Sequence, residues 1–371
     1  MTRISRVLIA NRGEIALRVI QACREMNIET ILAVSEADRL SLPAQMADRA
    51  VCIGPPLPSQ SYLKVDTIMA AAIGTGADAI HPGYGFLAEQ PELAKACAKY
   101  DLAFIGPRAA HIKQMGDKIF ARQVAVDSGI SIIPGSELIA DYRQAARFAE
   151  RTGYPILLKA AAGGGGKGMK IVKTPADLRV AFNEASAEAQ SAFGDERLYL
   201  EHYVENARHV EIQIFGDGRG NVVHLFERDC SLQRRYQKLV EEAPSVDLDS
   251  AMREKVCRAA VKIAAQIKYR NAGTVEFIFD RDQEQFYFLE MNTRIQVEHP
   301  VTEQITGIDL VKEQFGVAAG NSLSFGQKDV KLAGHAIESV SYTHLRAHET
   351  SSMISYAVFC LKKGGGGGGG G

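Results

Sequence analysis

The chain has 371 residues, of which 46% are hydrophobic and 23% are charged, and its formal net charge is −1. This length and composition suit a soluble globular protein of two or three domains, and the balanced charge excludes nucleic-acid or membrane-surface binding driven by overall charge. The sequence has no run of 18 apolar residues, no signal-peptide pattern and no CxxC pair, so we expect a cytoplasmic protein with reduced thiols and no membrane span.

The first third of the chain alternates between strand and helix patterns. A strand is predicted at 6–10, a helix at 14–27 and a strand at 30–34, which together form a β-α-β unit. No GxGxxG follows the first strand, so a dinucleotide site is not supported. The Gly/Pro-rich loop 81–89 follows an apolar segment, and both a ligand-binding and a purely structural role stay open for it.

A glycine-rich loop stands out in the next segment, after a helical pattern over 109–129. Strands predicted at 155–159 and 169–172 bracket the sequence AAAGGGGKG. Successive glycines let backbone N–H groups converge on phosphate oxygens, which favours a flap over a phosphate, although a flexible linker is the alternative. The loop is not a Walker A motif, because Lys167 is followed by Gly168 and then by a strand.

The segment from 176 to 268 contains further alternating elements and one basic cluster. A helix is predicted at 176–193, strands at 197–204 and 209–214, and a helix at 252–268. Arg234, Arg235 and Lys238 form a cluster that suits either a solvated face or a phosphate site. We interpret Cys230 as a buried structural thiol rather than a nucleophile.

The stretch 286–303 has the strongest chemical pattern in the chain. Alternation predicts an extended segment whose polar face contains acid, amide, cation, amide and acid in the order Glu290, Asn292, Arg294, Gln296 and Glu298. The preceding strand, 274–280, and the turn 281–285 complete a predicted β-hairpin.

The register of this hairpin predicts a metal site. If Asp280 pairs with Phe286, Glu276 lies opposite Glu290, at roughly 5 Å between Cβ atoms, where like charges are destabilising. Two carboxylates and the amide of Asn292 form an all-oxygen set that suits Mg²⁺ or Mn²⁺, and such ions usually bind substrate phosphates as well. A half-exposed hairpin with ordinary charges is the alternative.

Six motifs, in chain order, resemble those of biotin carboxylases, the ATP-grasp component of biotin-dependent carboxylases such as acetyl-CoA carboxylase. They are ANRGEIA, HPGYGFLAE, GGGGKGM, RHVEIQ, ERDCSLQRR and EMNTRIQVEHPVTE. The resemblance extends from about residue 7 to residue 338, and six ordered motifs are far more specific than one glycine motif.

The resemblance implies an α/β fold that becomes α+β in the C-terminal half. Residues 1–115 would form a Rossmann-like domain, 116–203 a mobile ATP-grasp lid with the Gly-rich loop, and 204–338 the ATP-grasp half with the metal and bicarbonate sites. Residues 339–371 do not resemble the family, and we expect a coil that comes from a frameshift, a chimera or a cloning sequence.

The resemblance also assigns site residues. The ATP-binding set that it implies is Lys118, Lys159, Gly165, Gly166, Glu201, His202, Tyr203, Val204, His209, Gln233, Tyr236, Glu276 and Glu290. Two Mg²⁺ or Mn²⁺ ions would bind Glu276, Glu290 and Asn292. The bicarbonate set is Lys238, Arg294, Gln296, Val297 and Glu298, of which Lys238, Arg294 and Glu298 would be catalytic.

The chemistry implied by the resemblance is ATP- and bicarbonate-dependent carboxylation of biotin through carboxyphosphate. Glu298 would remove the bicarbonate proton, and Arg294 would stabilise the biotin enolate. The implied partners are a biotin carboxyl carrier protein, a carboxyltransferase and, in the intact family member, a second copy of the chain. The reaction would be the first half-reaction of acetyl-CoA carboxylase in fatty acid biosynthesis, or of a related acyl-CoA or pyruvate carboxylase.

The resemblance stops after Glu338. The family arginine expected at position 340, which helps to hold biotin, is Val340 here, and Arg346 stands in a different context. Two alternatives therefore stay open beside an active biotin carboxylase. One is another ATP-grasp ligase, such as a carbamoyl-phosphate synthetase half or a peptide-type ligase. The other is a catalytically impaired ATP-binding fragment.

Overall fold

The computed structural model describes residues 3–139, 141–161, 169–234 and 237–339. The helices, in chain order, are α1 Gly13–Glu25, α2 Leu42–Met46, α3 Val65–Thr75, α4 Pro91–Lys99, α5 Ala109–Gly116, α6 Lys118–Asp127, α7 Tyr142–Thr152, α8 Leu178–Phe193, α9 Ser250–Gln266, α10 His299–Thr306 and α11 Leu310–Ala318. The strands are β1 Arg6–Ile9, β2 Glu29–Val34, β3 Arg49–Cys52, β4 Ala79–His81, β5 Ala103–Phe104, β6 Ile156–Ala160, β7 Lys170–Val172, β8 Leu198–His202, β9 Ala207–Asp217, β10 Val222–Arg234, β11 Gln237–Ala243, β12 Arg270–Asp280, β13 Gln285–Asn292 and β14 Ala336–Ser339.

The N-terminal sheet is parallel, with strand order β3-β2-β1-β4-β5. Val7, Leu8 and Ile9 of β1 are fully buried, as expected for the central strand of a parallel sheet whose two faces are both covered. The predicted β-α-β unit is confirmed here, and the carboxyl ends of the strands deliver the loop 81–89 to the edge where α/β proteins bind ligands.

The second half of the chain is built on antiparallel sheets. Six strands form the central sheet in the order β13-β12-β9-β10-β11-β14, and a smaller sheet has the order β7-β6-β8. The chain is therefore α/β in its first part and α+β beyond it, as predicted. The pairing of β6 with β7 confirms the predicted hairpin, whereas its loop, including Gly165, Gly166 and Lys167, lies outside the described residues.

Hydrophobic packing separates the small sheet from the rest. Its core contains only residues from Ile139 to Leu200, whereas the core between the parallel and central sheets joins residues as distant as Val7 and Phe315. Helix α6 packs with the central sheet through Ala121 and Val124. We therefore propose that the lid core begins after α6 rather than at residue 116.

The single helix predicted over residues 109–129 is two helices, α5 and α6, in the structure. The pattern over 109–129 breaks at Asp117, whose backbone is extended and whose carboxylate accepts hydrogen bonds from the N–H groups of Ile119 and Phe120. This is an N-cap, so Lys118 is the first residue of α6. No helix in the described ranges is both long enough and apolar enough to cross a membrane.

The hairpin of β12 and β13 differs from the prediction in two ways. Asp280 pairs with Gln285 and not with Phe286, yet Glu276 still lies opposite Glu290, because a bulge between Glu276 and Phe277 shifts the register by one residue. The predicted extended segment also ends early. Strand β13 stops at Asn292, and residues 293–298 form a loop and turn into α10.

Candidate active site

A cleft of about 1880 Å³ lies between the small sheet and the central sheet. It brings together every predicted site residue that the structure describes: Lys118, Lys159, Glu201, His202, Tyr203, Val204, His209, Gln233, Lys238, Glu276, Glu290, Asn292, Arg294, Gln296, Val297 and Glu298. Tyr236, Gly165 and Gly166 lie outside the described residues, as do Arg235, Val340 and Arg346. The roles given to individual residues remain predictions, and the structure shows that all of them line one cleft.

A row of charged residues crosses four strands at the floor of this cleft. Glu290 pairs with Glu276, Glu276 with Glu211, and Glu211 with Arg228, on β13, β12, β9 and β10 respectively. Burial and the adjacent charge of Glu276 raise the pKa of Glu290. Three opposed carboxylates on one sheet face are destabilising unless cations compensate them.

The residues present fit a divalent metal at one end of this row. Asn292 Nδ2 donates to Glu276 Oε1 at 2.7 Å, and Glu290 precedes Asn292 by two residues on the same face of β13. Burial alone would raise the pKa of Glu276, but Lys238 and His209 outweigh it and lower that pKa to about 2, which keeps the group ionised. Two carboxylates and an amide oxygen are the hard ligands that Mg²⁺ and Mn²⁺ prefer.

Lys238 compensates the centre of the row. Its Nζ donates to Glu211 Oε2 at 2.5 Å, to Glu298 Oε1 at 2.7 Å and to Glu276 Oε1 at 3.2 Å. Burial opposes its charge, yet these carboxylates raise the pKa of Lys238 well above its usual value. Lys238 is therefore an ammonium ion that touches both the predicted base, Glu298, and a predicted metal ligand, Glu276. Arg234, from the same basic cluster, is exposed and solvated.

Glu211 and Arg228 were missed as site residues. Arg228 is fully buried, and its Nε donates to Glu211 Oε1 at 2.5 Å while its Nη1 donates to Gln213 Oε1 at 2.8 Å. Burial would raise the pKa of Glu211, but Arg228 and Lys238 outweigh it and lower that pKa. The alternation of His209, Glu211 and Gln213 in RHVEIQ was the available signal, since it places all three on one strand face.

Arg294 is held from the N-terminal part of the chain. Its Nε donates to Glu89 Oε2 at 2.8 Å, and its Nη1 donates to Gln296 Oε1 at 2.6 Å. The Gln296 amide nitrogen is buried and has no hydrogen-bond partner within the described ranges. The loop 81–89, whose role the sequence left open, therefore contributes a site residue, Glu89. Although residues 293–298 are not a strand, Arg294, Gln296 and Glu298 still face one cleft.

The nucleotide side of the cleft contains a second charged group. Lys159 Nζ and Arg122 Nη1 both donate to the buried carboxylate of Glu201, and Arg122 was not predicted. The backbone N–H groups of His202 and Tyr203 donate to the carbonyls of Pro134 and Pro155. The family resemblance implies that residues 201–204 bind adenine largely through backbone groups, and because the N–H groups of His202 and Tyr203 are already paired, such a contact would use carbonyl groups or Val204.

His209 links the predicted metal and nucleotide residues. Gln233 Nε2 lies 2.8 Å from His209 Nδ1, and His209 Nε2 lies 2.7 Å from Glu276 Oε2. Cys230 is fully buried nearby, and burial raises the pKa of its thiol well above the usual value. The prediction that Cys230 is buried is confirmed, and a buried thiol with a raised pKa agrees with a structural role.

Two family profiles match the chain. The profile of the N-terminal domain of biotin carboxylase matches residues 3–112, and that of the ATP-binding domain of the carbamoyl-phosphate synthase L chain matches residues 117–325. Biotin carboxylase 1 of Bacillus subtilis is 52% identical over 90% of this chain and 75% of its own length. The biotin carboxylase of Nostoc is also 52% identical, over 91% of this chain and 75% of its own length.

A solved structure shows the same fold. The biotin carboxylase domain dimer of Hydrogenobacter thermophilus 2-oxoglutarate carboxylase, in complex with MgADP, ADP and bicarbonate, superposes with a TM-score of 0.85 at 48% identity. The match covers 92% of this chain and 75% of that one. This chain therefore belongs to the biotin carboxylase family of ATP-dependent ligases and has the ATP-grasp fold.

Proposed function

We propose that this chain binds Mg-ATP and bicarbonate in the cleft and carboxylates biotin on a carrier protein through carboxyphosphate. The observation that supports it most is the meeting of Lys238, Arg294, Gln296 and Glu298 beside the carboxylate row. A small planar anion suits the guanidinium fork of Arg294, the ammonium of Lys238 and the unpaired amide of Gln296. ATP-grasp ligases that act on other substrates also bind Mg-ATP, so this anion site is the discriminating feature.

The first chemical step depends on Glu298. Its carboxylate accepts the proton of bicarbonate, and the bicarbonate oxygen then attacks the γ-phosphorus of ATP. The bond between that phosphorus and the ADP oxygen breaks, which yields ADP and carboxyphosphate. Lys118 and Lys159 neutralise the phosphates, and Glu276, Glu290 and Asn292 would hold Mg²⁺, which adds charge stabilisation when bound. Manganese is an alternative ion for this oxygen set.

The second step places the carboxyl group on biotin. Carboxyphosphate releases CO₂ and phosphate, the released phosphate accepts the N1′ proton of biotin, and the nitrogen attacks CO₂ while Arg294 stabilises the enolate. The partners of this function are a biotin carboxyl carrier protein and a carboxyltransferase, and the Hydrogenobacter relative supports a homodimer. The final acceptor is an acyl-CoA or a 2-oxo acid, with acetyl-CoA, as in fatty acid biosynthesis, as one candidate.

Glu298→Gln tests the proposal. The substitution keeps the hydrogen bond with Lys238 but removes the base, so we expect bicarbonate-dependent ADP release to fall by at least about 100-fold. The Mg-ATP-induced rise in melting temperature should stay unchanged, because Glu298 is not in the nucleotide set. Glu284→Gln, in the exposed turn before β13, is the matched control and should behave like the parent chain. Unchanged bicarbonate-dependent turnover in Glu298→Gln would remove this residue from the role of base.

A catalytically impaired ATP-binding protein is the second candidate, favoured by Val340 at the position of the family arginine for biotin. It predicts bicarbonate-dependent ATP cleavage with little or no carboxylation of free biotin. A thermal-shift titration with Mg-ATP, followed by assays of ADP release and of biotin carboxylation, distinguishes the two candidates. Robust biotin carboxylation by this chain would exclude the second.

A further inference from the structure

Two buried glutamates face each other at the end of the central sheet. Glu241 on β11 pairs directly with Glu338 on β14 in an antiparallel register. Their side chains are only 3% and 2% exposed. In both residues Oε2 is buried and makes no hydrogen bond to any described residue. Directly opposed side chains lie roughly 5 Å apart at Cβ, too close for two buried, uncompensated carboxylates to be ionised together.

No described residue forms an ion pair with Glu241 or Glu338. Arg228 acts electrostatically on both carboxylates and Lys238 acts on Glu241, but both cations donate to Glu211, and Lys238 also donates to Glu276 and Glu298. The charged and titratable groups that face the pair from the surrounding elements are Glu14 and Arg18 of α1, Tyr84 of the loop 81–89, Glu211, Arg228, Lys238, Glu298 and His299. Carboxylates predominate, which favours a protonated pair.

The pair connects two spaces. Glu241 lines the active-site cleft, and Glu338 lines a separate cavity of about 160 Å³ whose wall includes Arg18 and His299. The lining of that cavity is mostly apolar, so the pair exchanges protons with solvent on the side of the cleft, through Glu241. Because Glu241 borders the cleft that contains Arg294 and Glu298, its charge acts directly on an anion bound there.

We propose that Glu241 and Glu338 both keep their protons at neutral pH, and that these protons keep the wall of the anion site neutral enough to bind bicarbonate. Loss of one of these protons places an additional buried negative charge beside bicarbonate and weakens its binding. The pair thus acts as a positioning element for charge rather than as a catalytic group. The inference rests on the proposed function, since bicarbonate is the anion concerned.

Several arguments agree with this assignment. Burial, then the charges of neighbouring carboxylates, raises the pKa of both Glu241 and Glu338 to about 8. The cation of the site, Lys238, does not titrate in this range, because its own pKa is raised well above the usual value. A change in bicarbonate affinity near pH 8 therefore reports the pair rather than Lys238.

The test compares the full chain with Glu241→Gln/Glu338→Gln, and with Glu242→Gln as the matched control. Glu242 is the next residue on β11, is paired with Ile337 and does not line the cleft. Bicarbonate-dependent ADP release is measured at saturating Mg-ATP. In the parent chain and the control, the KM for bicarbonate should rise roughly tenfold from about pH 7 to about pH 9.5, the size expected for one added charge about 10 Å away at an effective dielectric of about 20. In the double variant the KM for bicarbonate should not change over this pH range. The KM for ATP should not change with pH in the parent chain, the control or the double variant.

Infrared difference spectroscopy supplies a readout that does not need turnover. The parent chain should show a protonated carboxyl band that disappears with a midpoint near the pKa of about 8, and the double variant should lack it. A parent chain without a carboxyl band above about pH 7 overturns the inference. So does a double variant whose KM for bicarbonate rises as in the parent. If ADP release does not require bicarbonate in the parent chain, the control or the double variant, the proposed function fails. The link between the pair and bicarbonate then fails with it, even if the parent chain shows the carboxyl band.

Discussion

Replacing Arg228 by methionine is expected to destabilise the central sheet by about 3–5 kcal/mol, because it leaves a buried carboxylate without its partner. Arg228 is fully buried, and its guanidinium donates to four side chains: Glu211 at 2.5 Å, Gln213 and Thr302 at 2.8 Å, and Thr274 at 3.2 Å. Methionine fills much of the same volume and removes every one of these donors.

Most of the expected loss of stability comes from leaving the carboxylate of Glu211 buried without Arg228. The Glu211 side chain has no exposed surface, and after the substitution Lys238 is the only described residue that still forms an ion pair with it. The lost neutral hydrogen bonds add about 1 kcal/mol each at most, and part of that returns through rearrangement of the threonine hydroxyls. In a cooperative domain of about 150–250 residues, a loss of 1 kcal/mol in the free energy of unfolding lowers the melting temperature by about 2–4 °C. We therefore expect the melting temperature of Arg228→Met to fall by roughly 6–20 °C.

The assay is thermal unfolding followed by circular dichroism, with Arg258→Met as the matched control. Arg258 forms an exposed ion pair with Glu254 on α9, and such a pair contributes no more than about 1 kcal/mol. Arg228→Met/Glu211→Gln should recover a substantial part of the loss, since the unpaired charge is gone. The reasoning is refuted if Arg228→Met melts within a few degrees of Arg258→Met, or if the double variant is no more stable than Arg228→Met alone.

Three further outcomes are expected. Glu89→Gln should raise the KM for bicarbonate roughly tenfold with the KM for ATP unchanged, because Arg294 loses a charged partner at 2.8 Å; steady-state ADP release measures both, and a rise confined to ATP would contradict the assignment. Lys159→Met should weaken Mg-ATP binding by roughly tenfold in a thermal-shift titration, since one phosphate-neutralising charge is lost; an unaltered titration would remove Lys159 from the nucleotide site. Because the pKa of Glu241 and that of Glu338 are raised to about 8, the folded chain retains protons that the unfolded chain releases. Stability should therefore fall between about pH 5 and about pH 8, by about 1.4 kcal/mol per pH unit for each proton retained, and level off above that range. Denaturant unfolding at several pH values should show a flatter profile in Glu241→Gln/Glu338→Gln, and parallel profiles would exclude the pair as the source.

The hairpin of β12 and β13 shows how far a pattern leads and where it stops. Alternation and turn residues located the hairpin, and Glu276 does lie opposite Glu290, but the pairing of Asp280 with Phe286 from which this was predicted was wrong by one residue. A bulge restored the opposition of the two acids. Bulges depend on how a strand bends over its neighbours, so a local pattern cannot locate them.

The extended segment predicted to continue to Glu298 is a second example. Beyond Asn292 the chain leaves the sheet and turns into α10, yet Arg294, Gln296 and Glu298 still reach the cleft. The residue types were therefore informative about chemistry even though the backbone assigned to them was wrong. The structure uses Glu89, from a loop more than 200 residues earlier, to orient Arg294.

The β-α-β unit, the two hairpins and the acidic, amide and cationic side chains of residues 290–298 followed from local periodicity and residue chemistry, because these depend on neighbours along the chain, whereas the ATP and bicarbonate sets followed from the family resemblance. The roles of Glu211, Arg228, Glu89 and the Glu241–Glu338 pair did not. Each arises from strands or loops far apart in the sequence, and only the folded sheet brings their charges within a few ångströms, where burial and Coulomb interaction set which groups hold a proton.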